Sequence, residues 1–298
     1  MSHIYTIWVQ SVLFNNPEKN IKKSIDSIIN SMRVYNREHN DSSVNLTFCY
    51  GDSSKEKKLS EKFICNYNGI DNVKFIYNFF NGNLGSAKGH NTLAKQCDCD
   101  YIMDLNPDVI VSPQFFRFML EPFADNKVGI VEARQSPIEH QKEYSVKTLE
   151  TDWATTACVL INFKAFKDVN GFDDISFFLY CDDVDFSFRL RLAGYKIIYQ
   201  PLAVVFHAKR LSVTGNWMPP KSEIYYSAEG ALMMAYKYNY MTKFEEIYAW
   251  IKTQTHLYGI IEKFENLKEK KLLPEQLDLD HKIAIFNGNY YCKNRFIL

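Results

Sequence analysis

The segment His3-Ile4-Tyr5-Thr6-Ile7-Trp8-Val9-Gln10-Ser11-Val12-Leu13 is dense in β-branched and aromatic residues and reads as a strand. Pro17 then opens a stretch in which Ile21, Ile25, Ile28, Ile29 and Met32 recur at helical spacing. The alternation continues outward from this pair. Val44 to Tyr50, Val73 to Tyr77, Tyr101 to Leu105 and Val128 to Glu132 read as strands. Lys55 to Tyr67 and Ser86 to Gln96 read as helices between them, and Ser112-Pro113 supplies an N-cap and a proline at the first helical position. Alternating strands and helices of this kind predict an α/β fold, a mostly parallel central sheet with flanking helices.

Such sheets bind ligands beyond the carboxyl ends of their strands. Four successive ends here carry small or polar residues: Ser11 and Asn15, Gly51-Asp52, Asn81 to Gly85, and Asn106-Pro107-Asp108. That recurrence points to a nucleotide-type site. The second half predicts a strand over Trp153 to Asn162, an acidic segment over Gly171 to Asp185, a helix to Ala193, and extended runs at Lys196 to Tyr199 and Val204 to His207. Beyond the breaker Pro219-Pro220, Ile224 to Tyr238 and Lys243 to Lys270 read as helices. The expected division is a sheet domain over 1–218 and a helical C-terminal extension over 219–298.

Composition removes several classes. Of 298 residues, 46% are hydrophobic and 23% charged, which supports a packed core and excludes global disorder. Lys plus Arg and Asp plus Glu both number 35. The zero balance removes the electrostatic case for a nucleic-acid binder. The seven cysteines include no Cys-x-x-Cys pair, so they are expected to be buried thiols of a reducing compartment. Neither a secretory leader nor a spanning segment is read. The expected location is cytoplasmic, or peripheral at the inner face of the cell membrane.

Three constellations carry chemistry. The loop Asn83-Leu84-Gly85-Ser86-Ala87-Lys88-Gly89-His90-Asn91 lacks both the dinucleotide and the Walker spacings. Its glycines permit a tight turn, its helix would offer N–H groups to phosphate, and Lys88 would add charge. The turn Asp104-Leu105-Asn106-Pro107-Asp108 sets oxygen donors at a strand end, as a hard divalent ion needs. The segment Gly171 to Phe186 places five aspartates among Phe, Leu and Tyr. Apolar surroundings disfavour a carboxylate and move it toward a usable general base, a role read for Asp183; Asp185 instead pairs with Arg189 one turn on. His207 closes the apolar run Ala203-Val204-Val205-Phe206.

In their order these motifs resemble the bacterial family 2 glycosyltransferases of the GT-A fold, over about residues 4 to 212. The matching pieces include Asn83 to Asn91, Leu105-Asn106-Pro107-Asp108, Asp152-Trp153, Gly171-Phe172-Asp173, Asp182-Asp183-Val184-Asp185, Arg189-Leu190-Arg191, Gly194-Tyr195, Pro201 and His207. The likeness is greatest to the polysaccharide and O-antigen branch, with its rhamnosyl- and galactofuranosyltransferases. It implies an inverting transfer from a UDP- or dTDP-sugar to a glycan or polyprenyl-linked acceptor, with Mn2+ or Mg2+ as cofactor. Asp183 matches the base and Asp182 its acidic neighbour. Asn106, Asp108 and His207 match metal positions. Ser11, Leu13, Asp52, Asn83, Gly85, Lys88, Asn91 and Asn106 fall at donor positions, and Trp153 and Thr156 at acceptor positions. A catalytically degenerate sugar-nucleotide or interaction domain is the alternative, and donor hydrolysis with Mn2+ separates the two. A glycoside hydrolase has no use for a diphosphate cradle. A nucleotidyltransferase needs a basic glycine-rich loop after the first strand, where Ser11 to Asn16 has neither glycine nor lysine.

The apolar band of the last helices, from Phe244 through Ile247, Ile251, Leu257, Ile260 and Ile261 to Phe264, is expected to pack as core or as a homodimer contact. Membrane docking ranks below both, because Glu245, Glu246, Glu262, Glu265 and Glu269 dilute the basic residues an interfacial helix wants.

Overall fold

A computed structural model describes residues 3–138, 143–207 and 220–286, together with the backbone of Tyr290–Cys292 and Arg295–Phe296. The strands of the main sheet are β1 (His3–Leu13), β2 (Ser42–Asp52), β3 (Lys74–Phe79), β4 (Tyr101–Leu105), β5 (Val109–Val111), β6 (Val128–Ser136), β7 (Cys158–Asn162) and β8 (Lys196–His207). They join in the order β3-β2-β1-β4-β7-β6-β8-β5. The pairs β3/β2, β2/β1, β1/β4 and β6/β8 are parallel. Strand β7 runs against both β4 and β6, and β5 against β8. The sheet is therefore mixed, with its parallel half at the N-terminal edge.

Helices cover both faces. On one side α1 (Glu18–Glu38) buries Ile21, Ile25, Ile28, Ile29 and Met32 against the sheet, the face the periodicity predicts. The short α2 (Glu61–Cys65) and α4 (Phe115–Leu120) complete that layer. On the other side lie α3 (Gly85–Ala94), α5 (Phe163–Asp168) and α6 (Asp182–Leu192). The C-terminal part folds into α7 (Lys221–Lys237), α8 (Met241–Thr253) and α9 (Tyr258–Glu269).

Four expected elements change length, each for a local reason. The second helix shrinks to Glu61–Cys65 because residues 54–58 wrap around the Asp52 side chain instead. Only Cys158–Asn162 of the run from Trp153 is strand, since Trp153 leaves the sheet for a separate core. The two runs near Pro201 form the single strand β8. Its pairing to β6 slips there, Ala133 facing Gln200 and Arg134 facing Val204, as a residue without an N–H requires. The last long helix breaks at Gln254 into α8 and α9.

The expected boundary between 218 and 219 lies outside the described residues. The helices beyond it share one core with the sheet domain. Ile247, Ile251, Leu257, Ile260, Ile261 and Phe264 pack with Trp153, Phe177, Cys181, Val184 and Phe188, so the predicted apolar band is buried within the chain itself. Among the described residues, no helix is long and apolar enough to cross a membrane.

A buried ionic cluster fastens this layer to α6. Lys237 on α7 is 4% exposed, and its Nζ lies 2.7 Å from Asp173 Oδ2 and 2.6 Å from Asp185 Oδ1. Arg189 Nε donates to Asp185 Oδ2 at 2.7 Å, and its Nη1 donates to the carbonyls of Val169 and Gly171. The Tyr238 hydroxyl donates to Asp185 Oδ1 at 3.0 Å. Removing Lys237 leaves Asp173 without its cation and the buried Asp185 with Arg189 as its one remaining cation among the described residues. We expect Lys237→Met to lower stability by about 3–5 kcal/mol, read by urea or thermal unfolding. Unchanged stability would show that the lysine is not what neutralises the two aspartates.

Candidate active site

Helix α6 begins with the acidic pair. Its first turn holds Asp182, Asp183 and Asp185, where the positive end of the helix dipole favours negative charge. Asp182 is 4% exposed and Asp183 6%. Burial and the adjacent Asp183 push the Asp182 carboxyl up to about 7, against hydrogen bonding from Ser86. Asp183, the expected general base, is the next residue of the same helical turn. One oxygen of Asp182 has no protein partner, while Asp183 Oδ1 accepts from the Val184 N–H at 2.9 Å.

The turn entering α6 is held open in a rare conformation. Tyr180 and Cys181 both adopt left-handed backbone angles, φ 64° and 62°. Cys181 lies against α7 at Gly230, where a Cβ would come within 2.5 Å of its Sγ. Only glycine admits this contact.

The Asn83 to Asn91 loop was expected to cradle phosphate on the N-terminus of α3. That terminus is already occupied. Leu84 N donates to Ser53 Oγ, Gly85 N to Asn83 Oδ1, and Ser86 N to the Phe178 carbonyl at 2.8 Å. Gly85 has φ +72°, and a Cβ there would sit 2.3 Å from that same carbonyl. Asn91 clamps the backbone of Phe172, accepting from its N–H at 2.9 Å and donating to its carbonyl at 2.8 Å. The loop thus braces the segment that carries the acidic pair. Asn83 and Lys88 remain exposed and available to a ligand.

Other expected donor residues also have inward roles. Ser11 is buried and donates to the Leu105 carbonyl at 2.8 Å, and Leu13 lies in the core. The buried Asp52 accepts from Ser54 N, Lys58 N and the Tyr77 hydroxyl. In this structure these side chains are turned to protein partners. Trp153, expected to meet an acceptor, is 1% exposed and belongs to the C-terminal core. Thr156 is half-buried beside Ala157, whose carbonyl accepts from Asn106 N.

The three expected metal positions do converge. The end of β4 presents Asn106 and Asp108, and β5 turns back so that Val109 pairs with His207 at the end of β8. Asp108 Oδ1 lies 3.7 Å and Asn106 Nδ2 3.2 Å from His207 Nε2. A carboxylate, an imidazole nitrogen and an amide oxygen are donors that Mn2+ or Mg2+ accepts, and Asn106, which here turns its Nδ2 to His207, would serve through its Oδ1. Two ligands 3.7 Å apart fit bonds of about 2.0–2.2 Å each to one ion. Among the described residues, no three His, Cys, Asp or Glu side chains are spaced to hold a metal. A bound ion would therefore take further oxygens from substrate or water.

Behind the acidic pair lies a set of groups that sequence reasoning missed. Asp104 on β4 is fully buried, with His90 Nε2 at 3.1 Å from its Oδ1 and Gln10 Nε2 at 3.2 Å from His90 Nδ1. Burial, with the Asp182 charge, raises the Asp104 carboxyl well above the ordinary range, and burial holds His90 down to about 3. Both Asp104 oxygens are buried without a hydrogen-bond partner, so the contact with His90 is a close approach only. Its signal in the sequence was an aspartate inside the apolar run Tyr101-Ile102-Met103-Asp104-Leu105. A separate cleft of about 630 Å³, bounded by residues 143–152, Arg191 and Lys196, contains none of the expected site residues.

The glycosyl transferase family 2 model matches residues 11–183, from the end of β1 to the acidic pair. The chain belongs to that family. The rhamnosyltransferase WbbL of Escherichia coli K12 is 27% identical over 186 residues, which is 52% of this chain and 69% of that protein. Among solved structures, GalNAc-T7 with UDP, GalNAc and Mn2+ aligns over 94% of this chain and 57% of its own, at 15% identity and TM-score 0.61. The mannosyltransferase PcManGT of Pyrobaculum calidifontis, with GDP-Man and Mn2+, aligns over 88% of this chain and 75% of its own, at 13% identity and TM-score 0.57. The fold is thus the GT-A type that the motif order implied.

Asp52 gives the site a stability test. Burial alone would raise its carboxyl, but the donors from Ser54, Tyr77 and Lys58 outweigh burial and hold it below 3.8. A carboxyl depressed on folding contributes stability above its unfolded pKa and loses it as pH falls through the folded value. We expect Asp52→Asn to be about 1.5–3 kcal/mol less stable at pH 7, with the gap closing in acid. Parallel pH–stability curves for the two proteins would refute the assignment.

Proposed function

We propose that the chain is an inverting glycosyltransferase that moves a sugar from a nucleotide-diphosphate donor, a UDP- or dTDP-sugar, to a hydroxyl of a glycan or lipid-linked acceptor in surface polysaccharide synthesis. The observation that carries this reading is the buried Asp182–Asp183 pair on the N-terminus of α6, with one carboxyl at about 7. The name of the Escherichia coli relative favours a deoxyhexose donor.

The acceptor oxygen forms a bond to the anomeric carbon as the carbon–oxygen bond to the diphosphate breaks. The hydroxyl proton passes to Asp183, and the nucleoside diphosphate leaves with the bonding pair. One base and one displacement invert the anomeric centre. Asp182 stands beside Asp183 as a second buried carboxyl on the same helix N-terminus. Lys88 offers a cation to the phosphates from the exposed side of α3. Asp108, His207 and Asn106 would hold a divalent cation, whose positive charge offsets that developing on the leaving group. Both Mn2+-bearing solved structures support that part of the reading.

Two experiments test it. Asp183→Asn should bind donor and lose transfer by at least about 10²-fold, while turnover near the wild-type rate would remove Asp183 as the base. The wild-type kcat/KM should change with pH through about 7, where the Asp182 carboxyl titrates, and Asp182→Asn should lose that limb; a limb unchanged in the variant would show that Asp182 is not its source. For the metal, Asp108→Ala should abolish the Mn2+ dependence of donor binding measured by thermal shift, and His207→Ala should weaken it less. Donor binding indifferent to Mn2+ in the wild type would overturn metal dependence.

A further inference from the structure

Gln135 is a buried amide on β6, 3% exposed, in register with Val205 on β8. Val205 and His207 are two apart on one strand, so Gln135, Val205 and His207 share a face of the sheet. The amide oxygen Oε1 lies 2.8 Å from His207 Nδ1, and the amide Nε2 has no partner in the interior. A buried amide that leaves its donor unused is unfavourable. An aliphatic side chain at this place in the strand would avoid that loss. What the amide supplies is one acceptor, aimed at one ring nitrogen.

That acceptor decides how the ring is used. A neutral imidazole carries one N–H and one lone pair, and only the lone pair can bind a metal. An oxygen facing Nδ1 keeps the proton there and leaves the lone pair on Nε2. Nε2 is the nitrogen that faces Asn106 and Asp108, 3.2 Å from the Asn106 amide and 3.7 Å from the Asp108 carboxylate. We propose that Gln135 is a positioning residue for a divalent cation, locking His207 in the Nδ1–H form so that its Nε2 lone pair points at the Asn106–Asp108 turn. The inference rests on the metal-using reading above. It adds a residue outside the turn and outside the strand that carries the histidine.

The test uses the full chain with Mn2+ alone and Mn2+ with pyrophosphate, titrated by calorimetry or by loss of the free-ion electron paramagnetic resonance signal. Gln135→Leu should bind Mn2+ about 10–100-fold more weakly with its circular dichroism unchanged. Gln135→Glu should keep or raise affinity, because a carboxylate accepts the same N–H. Nitrogen-15 spectra of the metal-free wild type should show His207 protonated on Nδ1, which keeps the test decisive if Gln135→Leu does not fold. Equal Mn2+ affinity in Gln135→Leu and wild type, or a proton found on Nε2, overturns the role of Gln135 and leaves the transferase reading standing. A wild type that binds no Mn2+ under either condition overturns the metal reading and this inference with it.

Discussion

The carboxylate of Asp185 is out of reach of water, and three donors close around it: Arg189 from its own helix, and Lys237 and Tyr238 from the end of α7. A buried charge is tolerable only when paired and hydrogen-bonded, so these contacts are conditions for the fold and not additions to it. They fix α6 in rotation and height. Through Arg189 they hold the carbonyls of Val169 and Gly171, and through Lys237 they hold Asp173. The strained turn at Tyr180 and Cys181 lies between these anchors. Left-handed angles at two non-glycine residues cost about 1–3 kcal/mol each and persist because the cluster and the wall at Gly230 leave no alternative.

Three carboxylates of the site sit in three different surroundings. Asp185 is paired with cations. Asp182, one turn earlier and without a cation, is pushed up to about 7 by burial and by Asp183. Asp104, deeper still, is raised by burial and by the Asp182 charge, and burial lowers the neighbouring His90. The sheet supplies this layering directly: Gln10 and Asp104 are register partners on β1 and β4.

Strand ends, helix faces and the acidic segment could be read from the chain because each depends on local spacing. Ile21 to Met32 form the buried face of α1 as their periodicity requires, and Asn106, Asp108 and His207 meet as their motif order implies. What could not be read was direction across the fold. Asp52 ends β2 and Asn91 lies on α3, and spacing cannot tell a polar side chain turned toward a ligand from one that satisfies a neighbouring backbone. Trp153 fell at an acceptor position by motif order, and its burial could not be read because the core it joins is built mostly from residues beyond Lys221. His90 and Gln135 were invisible for the same reason, since their partners Asp104 and His207 lie on other elements.

The segment matched to the family ends at Asp183, yet the lysine that holds α6 in place comes later, on α7. This bears on the growing chain. As it leaves the ribosome, all eight strands of the sheet and α6 emerge before Lys237. N-terminal parts fold first during synthesis. Until α7 arrives, Asp173 and Asp185 lack their shared cation, and the turn at Tyr180 and Cys181 has no wall to press against. The sheet and the Asn106–Asp108 turn can form early, while the acidic pair takes its final geometry late, so a half-made chain can fold its scaffold before the candidate site is complete.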